Sequence, residues 1–419
     1  MKLTDYLRAE WKPALGCTEP AAVAYAACLA AAQGHGEPRM ARLILDARTY
    51  KNCHAVGLPN SGHHAGVLWA LALGAVLPDP APGLELFGSV TPEALAQAGR
   101  LIDTGALHVD VDPARTELWI DCTVASQGGV GRAVLAEHHT RLVRLEADGL
   151  PVPLPPQAEA SDGEDRIRAE VAAMPLQDLV ALAGSLTGAD RARLRDGVAL
   201  NLAMAEHSVV HLPPGFVPPA GAEPWLRIPR LVSAGVLGRM SGEPLTVMSL
   251  AGSGNKGITV SVALALRGRQ LGHSEARIEE ALALACLLTT ATTERLGTLS
   301  AVCGASNAAG IGIAGGLVHL AGGGVPQLDL AIQNMVGNLA GLICDGAKIG
   351  CAMKAMTGVE AAFRSADLAM AGFGIPATDG IVGADGAASL DNLGRLAQRG
   401  MAGADTEILD IMQAKLGRS

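Results

Sequence analysis

The sequence predicts an α+β protein whose larger, C-terminal part is mainly helical. Three observations lead to this. Period-two apolar patterns gather between Arg39 and Glu146, which is the mark of half-buried strands. A proline-rich stretch with an acidic tail, 150–165, then reads as a linker. From Arg166 onward the apolar spacing is helical almost to the end. The expected units are an N-terminal helical segment (1–34) packing on the C-terminal domain, an α+β domain (35–150), a linker (151–165) and a helical domain (166–419). Composition agrees: 49% of residues are hydrophobic, only 3% are aromatic, and 52 are glycine, so helices can approach one another closely.

In order, residues 1–34 read as a helix broken once, at Trp11–Pro20. Thr18 is placed to cap the second part, with Pro20 in its first turn. Ala41–Ala47 and Leu118–Val124 read as strands, and Gly131–Leu135 with Arg141–Glu146 as a hairpin. Val67–Leu77 and Thr91–Leu101 read as helices between them. Further helices are expected at 165–184, 189–207, 259–267, 275–290, 327–342, 352–372, 386–401 and 404–416.

At 419 residues the chain has room for about two to three domains. A net charge of −9, with no basic run, argues against a nucleic-acid surface. The first ten residues carry acids and lack an apolar core, unlike a signal peptide. The most apolar long run, Ala308–Gly324, is broken by seven glycines and His319. It suits a buried helix better than a membrane span, which needs about 20 apolar residues. The expectation is a cytoplasmic protein without a membrane partner. Its eight cysteines are then ligands, catalytic groups or buried small residues rather than disulfides.

Gly341–Lys354 holds Cys344 and Cys351 with six residues between them, and forty residues separate Cys303 from Cys344. Three cysteines in a glycine-rich setting can be core residues, a zinc site, a disulfide with a spare, or ligands of an iron–sulfur cluster. The cluster reading has a physical basis. A cubane on three thiolates leaves one iron open as a Lewis acid, and neighbouring glycines let backbone N–H groups approach the sulfides. Gly252–Gly257 satisfies G-x-G-x-x-G, yet the strand–helix alternation of a dinucleotide fold is missing around it. The simpler reading is a loop that holds a small carboxylate through its backbone, Gly254 included, and through Ser253, Asn255 and Lys256. Asn52–Gly66 carries Cys53, His54, His63 and His64. These can bind zinc, as in a hydrolase, face a substrate together with Asn52 and Ser61, or, for the histidines, be solvated loop residues. Cys17 and Glu19 stand together at a helix start, where the dipole lowers a thiol's pKa. Cys28, Cys122 and Cys286 read as buried small hydrophobes.

Five stretches carry a resemblance: 12–20 (Lys-Pro-Ala-Leu-Gly-Cys-Thr-Glu-Pro), 252–257, the Cys303 segment, 344–354 (Cys-Asp-Gly-Ala-Lys-Ile-Gly-Cys-Ala-Met-Lys) and 379–382 (Asp-Gly-Ile-Val). In these the chain resembles the iron–sulfur L-serine dehydratase alpha-domain superfamily and, within it, the L-cysteine desulfidase branch. The resemblance implies a [4Fe-4S] cluster with one open iron on Cys303, Cys344 and Cys351, and no pyridoxal phosphate. It also implies β-elimination from a small L-amino acid. L-Cysteine giving pyruvate, ammonia and hydrogen sulfide is the first expectation, and L-serine dehydration the alternative. A zinc hydrolase and a dinucleotide-binding oxidoreductase are the rivals from other classes. Cys17 is the first candidate for the base, tuned by Glu19, with His63 or His64 second. The expected assembly is a homodimer. The chain departs from the family pattern at Pro59-Asn60-Ser61-Gly62, at Cys53, His54, His63 and His64, and at Lys256, where Gln is common.

Overall fold

Buried apolar side chains gather into two main cores, and the chain passes from one to the other between Cys17 and Ala21. The computed structural model describes residues 1–115, 117–155, 160–297 and 299–416. The chain begins with α1 (Leu3–Glu10), β1 (Trp11–Leu15) and α2 (Thr18–Gly34), followed by β2 (Pro38–Asp46), α3 (Ala47–Cys53), α4 (Val67–Val76) and α5 (Pro92–Asp103). Strands β3 (Leu107–Asp112), β4 (Trp119–Ser126), β5 (Gly129–Ala136), β6 (Leu142–Ala147) and β7 (Leu150–Pro151) complete the first unit. The rest is helical except for β8 (Thr246–Leu250). Its helices are α6 (Ala160–Ala173), α7 (Leu176–Ala183), α8 (Gly188–His207), α9 (Pro224–Ser241), α10 (Gly254–Gln270), α11 (Glu275–Leu296), α12 (Asn307–Leu320), α13 (Val325–Leu339), α14 (Cys351–Met370), α15 (Gly386–Arg395) and α16 (Ala402–Leu416).

The smaller core lies under a six-stranded sheet of order β3-β2-β4-β5-β6-β7. Only β2 and β3 are parallel; the other pairs are antiparallel. Helix α2 is buried nearly all round, because the sheet covers one side and α4 another. Its alanines make this possible. An added Cβ at Gly131 would lie 1.9 Å from the Ala30 carbonyl oxygen, and one at Gly74 would lie 2.3 Å from that of Ala24. In the larger core α11 runs through the middle, against α12, α10, α6, α7 and α15. Two of its buried threonines are satisfied within the helix. Thr289 donates to the Ala285 carbonyl and Thr292 to that of Leu288, both four residues back. Tyr6 of α1 shares a 2.8 Å hydrogen bond with Thr290.

The fold is mixed α+β with a helical C-terminal region, and several local expectations need correction. Residues 1–34 do not pack as one segment. Leu3, Tyr6, Leu7 and Trp11 join the larger core, whereas α2 belongs to the sheet. The break at Trp11 is a strand, paired antiparallel with β8 from Trp11↔Leu250 to Leu15↔Thr246. Cys17, not Thr18, occupies the N-cap of α2, and its side chain caps no N–H. The linker is shorter than expected. Residues 150–151 are a strand and α6 already begins at residue 160, while 156–159 lie outside the described residues. The helix expected at 165–184 is two, divided at Pro175. Helix α9 was hidden by prolines, one at its start and Pro229 inside it. Among the described residues, no helix is long and apolar enough to cross a membrane.

The contact between α2 and β5 gives a direct test. Gly131→Ala must push Ala30 and Gln33 aside and is expected to cost about 1–3 kcal/mol, the usual range for overpacking. Gly188→Ala, in α8 with nothing within 4 Å of the new Cβ, should be neutral or stabilise by up to about 1 kcal/mol. Urea unfolding midpoints of the two variants separate the outcomes.

Candidate active site

Cys303 and Cys344 are brought side by side by an antiparallel bridge between Val302 and Ile343. Cys303 N–H donates to the Leu342 carbonyl at 2.9 Å, and Cys344 N–H to that of Ala301 at 2.7 Å. Gly346, at φ +98°, turns the chain so that Cys351 opens α14. No Cβ fits at Gly346, since the Lys51 carbonyl oxygen would be 2.2 Å away. None of the three cysteines is in a disulfide, and their charges act on one another. Burial, then the neighbouring Cys344, push the Cys303 thiol up, while Ser306 and Lys354 act the other way. Burial likewise takes Cys351 up to about 11. Burial also raises Asp345, but the ammonium groups of Lys348 and Lys354 together outweigh it and hold the carboxyl down to about 2.

This donor set fits a polynuclear iron–sulfur group. Among the described residues, the one trio of His, Cys, Asp or Glu donors drawn within 4.8 Å of one another is His207, His211 and Glu243. At least one pair of the three sulfurs therefore lies more than 4.8 Å apart, whereas tetrahedral zinc would hold its sulfurs about 3.8 Å apart. Three free thiols that feel one another across a wider gap suit cluster ligation. Lys354 lies close enough to act on the charges of Cys303 and Cys344, so added negative charge there has a counter-charge.

Cys17 stands beside this group, its charge acting on Cys351 and Arg239. Gly16, at φ +72°, and Pro59 fix its turn, and Arg239 Nη2 donates to the Gly16 carbonyl at 2.7 Å. The thiol donates to Glu19 Oε2 at 3.1 Å. Burial, then the Glu19 charge, raise its pKa well above the ordinary thiol value. The expected lowering at a helix start is thus overturned, since the thiol is buried and then faces a carboxylate. Fully buried Cys53 lies next to both residues and is raised in the same way, by burial first.

The Gly252 loop lies near the same residues, with the Lys256 side chain 3.7 Å from a Cβ built at Gly304, next to Cys303. Ala251 and Gly252, both at positive φ, turn β8 into α10. Ser253 is the N-cap, and its hydroxyl caps no N–H. Asn255 accepts from Arg239 Nη1 at 2.9 Å. Lys256 donates to the Ala251 carbonyl at 2.7 Å and to Thr293 at 3.0 Å. Burial, then Arg168, pull its ammonium down to about 7. Asn255 and Lys256 therefore already have partners inside the protein, as do the Ala251 and Ser253 N–H groups, which donate to the Glu10 and Leu250 carbonyls, while the Ser253 hydroxyl remains for a ligand. Among the described residues, strand β8 pairs only with β1, in a two-stranded antiparallel ribbon. This is not the parallel sheet that a dinucleotide fingerprint needs.

Polar side chains of α3 and the loop after it are spent on hydrogen bonds within the protein. Ser61 donates to the Leu58 and His64 carbonyls, and Asn52 to that of Arg48. His63 and His64 are exposed, and the His64 ring stacks on Trp69 at 3.5 Å. Cys53 is fully buried, so it and these histidines do not converge on one ion, and the zinc reading of this loop falls. Residues that the sequence did not single out take their place. Arg168 Nη2 lies 3.6 Å from a Cβ built at Gly252, and its Nε donates to Glu10 at 2.8 Å. His139, in the turn between β5 and β6, feels the charges of Glu19 and Asp46. Burial lowers its pKa, and its Nε2 is buried without a partner, as are Glu10 Oε2 and Arg239 Nε. No local motif marks these groups, because they come from four separate segments.

Comparison with known proteins bears on the same residues. Residues 181–410 match the family model described as the serine dehydratase alpha chain, a stretch that includes the Gly252 loop and all three clustered cysteines. A UPF0597 protein of Oleidesulfovibrio alaskensis is 38% identical, the match covering 98% of this chain and 97% of the relative. One of Geobacter sulfurreducens is 35% identical, covering 98% of each chain. One of Caldanaerobacter subterraneus is 33% identical, covering 99% and 98%. Cys17, Glu19 and the sheet lie outside the family match but within the span shared with these relatives. The chain therefore belongs to the serine dehydratase alpha chain family, in its UPF0597 group.

Proposed function

We propose that the protein is an iron–sulfur lyase acting by β-elimination on a small L-amino acid, with L-cysteine as substrate and pyruvate, ammonia and hydrogen sulfide as products. One observation carries this reading: three free, mutually interacting thiols stand beside a thiol–carboxylate pair, Cys17 and Glu19. Cys303, Cys344 and Cys351 would hold a [4Fe-4S] cluster. When bound, it supplies a Lewis-acid iron that polarises the substrate carboxylate and the group leaving Cβ.

The other steps belong to the protein's own side chains. The Gly252 N–H, the Ser253 hydroxyl and the Arg168 guanidinium hold the carboxylate. Glu19 accepts the proton of Cys17, and the resulting thiolate takes the Cα proton. Burial and the Glu19 charge keep the resting Cys17 thiol protonated; once Glu19 has taken the proton its charge is gone, and the Arg239 charge then favours the thiolate. Loss of the β-substituent leaves an aminoacrylate, which tautomerises and hydrolyses to pyruvate and ammonia. Lys256, poised near neutral pH, can give a proton to the departing thiol. L-Serine dehydration by the same residues is the second reading, and the description of the matched family favours it.

Anaerobic reconstitution with iron and sulfide, followed by assay of both amino acids, decides between them. Sulfide and pyruvate released from L-cysteine at a higher kcat/KM than pyruvate from L-serine is the expected result, and the reverse order would move the assignment to dehydration. Single Ser substitutions at Cys303, Cys344 or Cys351 should lose iron and turnover together, whereas Cys28→Ser and Cys122→Ser should keep both. Full iron and sulfide content in any of the first three removes that residue from the ligand set.

Cys17→Ser and Glu19→Gln test the base. Both should retain iron while exchange of the Cα hydrogen with deuterated water stops. Near-normal exchange in Cys17→Ser would shift the role to His139. Ser253→Ala should weaken substrate binding by roughly tenfold, since a hydrogen bond to a charged group contributes about 1.5–3 kcal/mol; an unchanged KM takes Ser253 out of the site.

A further inference from the structure

A second constellation of ligating side chains lies outside the residues of the candidate active site. His207 is the last residue of α8, and a 3-10 turn over Ser208–His211 places His211 one turn further on. The two imidazole centroids are 6.3 Å apart. Glu243 approaches from the other side. Gly242, left-handed at φ +86°, ends α9, and Glu243 N–H then donates to the Gly238 carbonyl at 3.0 Å. Glu243 Oε2 lies 2.8 Å from His207 Nε2, and Oε1 lies 2.8 Å from His211 Nε2. The donor atoms of all three residues fall within 4.8 Å of one another.

The charge balance points the same way. The Glu243 side chain is only 8% exposed, while those of His207 and His211 are 49% and 33% exposed. Among the described residues, its ion-pair partners are these two imidazoles alone, with no Lys or Arg. A buried carboxylate needs a cation, and neutral imidazole offers only an N–H. The arrangement resembles an open metal site in its chemistry, with two nitrogens, one carboxylate and a solvent-facing side where a water can complete the shell.

We propose that His207, His211 and Glu243 bind one borderline divalent transition-metal ion of the zinc class, separate from the cysteine group. Two imidazoles and a carboxylate suit zinc, cobalt, nickel or copper. They do not suit magnesium or calcium, which prefer shells of oxygen ligands. The bound ion would clamp the end of α8 to the end of α9. These ends already meet closely, since a Cβ at Gly238 would lie 1.8 Å from Ser208 Oγ. One residue beyond Gly238 is Arg239, which holds the Gly16 carbonyl and Asn255. A ligand that binds only the folded state raises its stability by mass action.

Cobalt(II) titration of the full chain tests the proposal, because the spectrum tells the two kinds of site apart. The expected result is one ion per chain that gives ligand-field absorption without thiolate-to-cobalt charge transfer. It should be lost, or weakened at least tenfold, in His207→Ala, His211→Ala and Glu243→Gln. Zinc should raise the melting temperature of the parent protein and not of these variants, and magnesium should raise neither. Cobalt spectra showing only thiolate charge transfer, or variants that bind as the parent does, would overturn the proposal. Far-UV circular dichroism checks the fold of each variant. Should Glu243→Gln fail to fold, the two exposed histidines still decide the question.

Discussion

One buried ammonium joins the parts from which the candidate site is made. The Lys51 side chain, on α3 of the sheet unit, is fully buried. Its Nζ donates to the Cys344 carbonyl at 2.8 Å and pairs with Asp405 of α16. Removing one partner of a buried pair costs about 3–5 kcal/mol, because the other charge is left uncompensated. Arg48, one turn earlier, reaches the same carboxylate. The backbone of Lys51 fills the space that a side chain at Gly346 would need. The cysteine loop thus takes its shape from a residue almost three hundred positions away, and the two cores cannot be treated as independent.

A second tie runs through the segment between the cores. Strand β1 is fastened to β8, which leads into the Gly252 loop, and Arg239 links the Gly16 carbonyl to Asn255 in that loop. Cys17 and Glu19 sit where this ribbon passes into α2. Their position relative to the other thiols is therefore set by both units together. This explains why the thiol is buried against a carboxylate instead of lying open at a helix end.

What the sequence made legible was local. The hairpin β5–β6, helices α8 and α14 and the burial of Cys28, Cys122 and Cys286 follow from patterns within a few residues. The three clustered cysteines and the Gly252 loop were also visible, because small residues and thiols stand out in a stretch of sequence. Helix α9 was not, since Pro224 and Pro229 mask its spacing. Nor was β3, whose alternation over Leu107–Asp112 gains meaning only beside β2. Arg168, Arg239 and His139 lie in unremarkable surroundings and enter the site through tertiary packing alone. The histidines at 63 and 64 looked chemical because histidine is uncommon, yet a positive φ and a stacking contact with Trp69 account for their places.

The Lys51–Asp405 pair also has a meaning in time. During synthesis the sheet unit and α3 leave the ribosome long before α16, since the two partners are 354 positions apart. Until α16 arrives, a docked Lys51 would be buried without its counter-charge, which disfavours docking of α3 on the cysteine loop. Contacts of such sequence separation form late and slowly. The cysteine loop therefore gains its contact with the Lys51 ammonium in a compensated form only once Asp405 has been made.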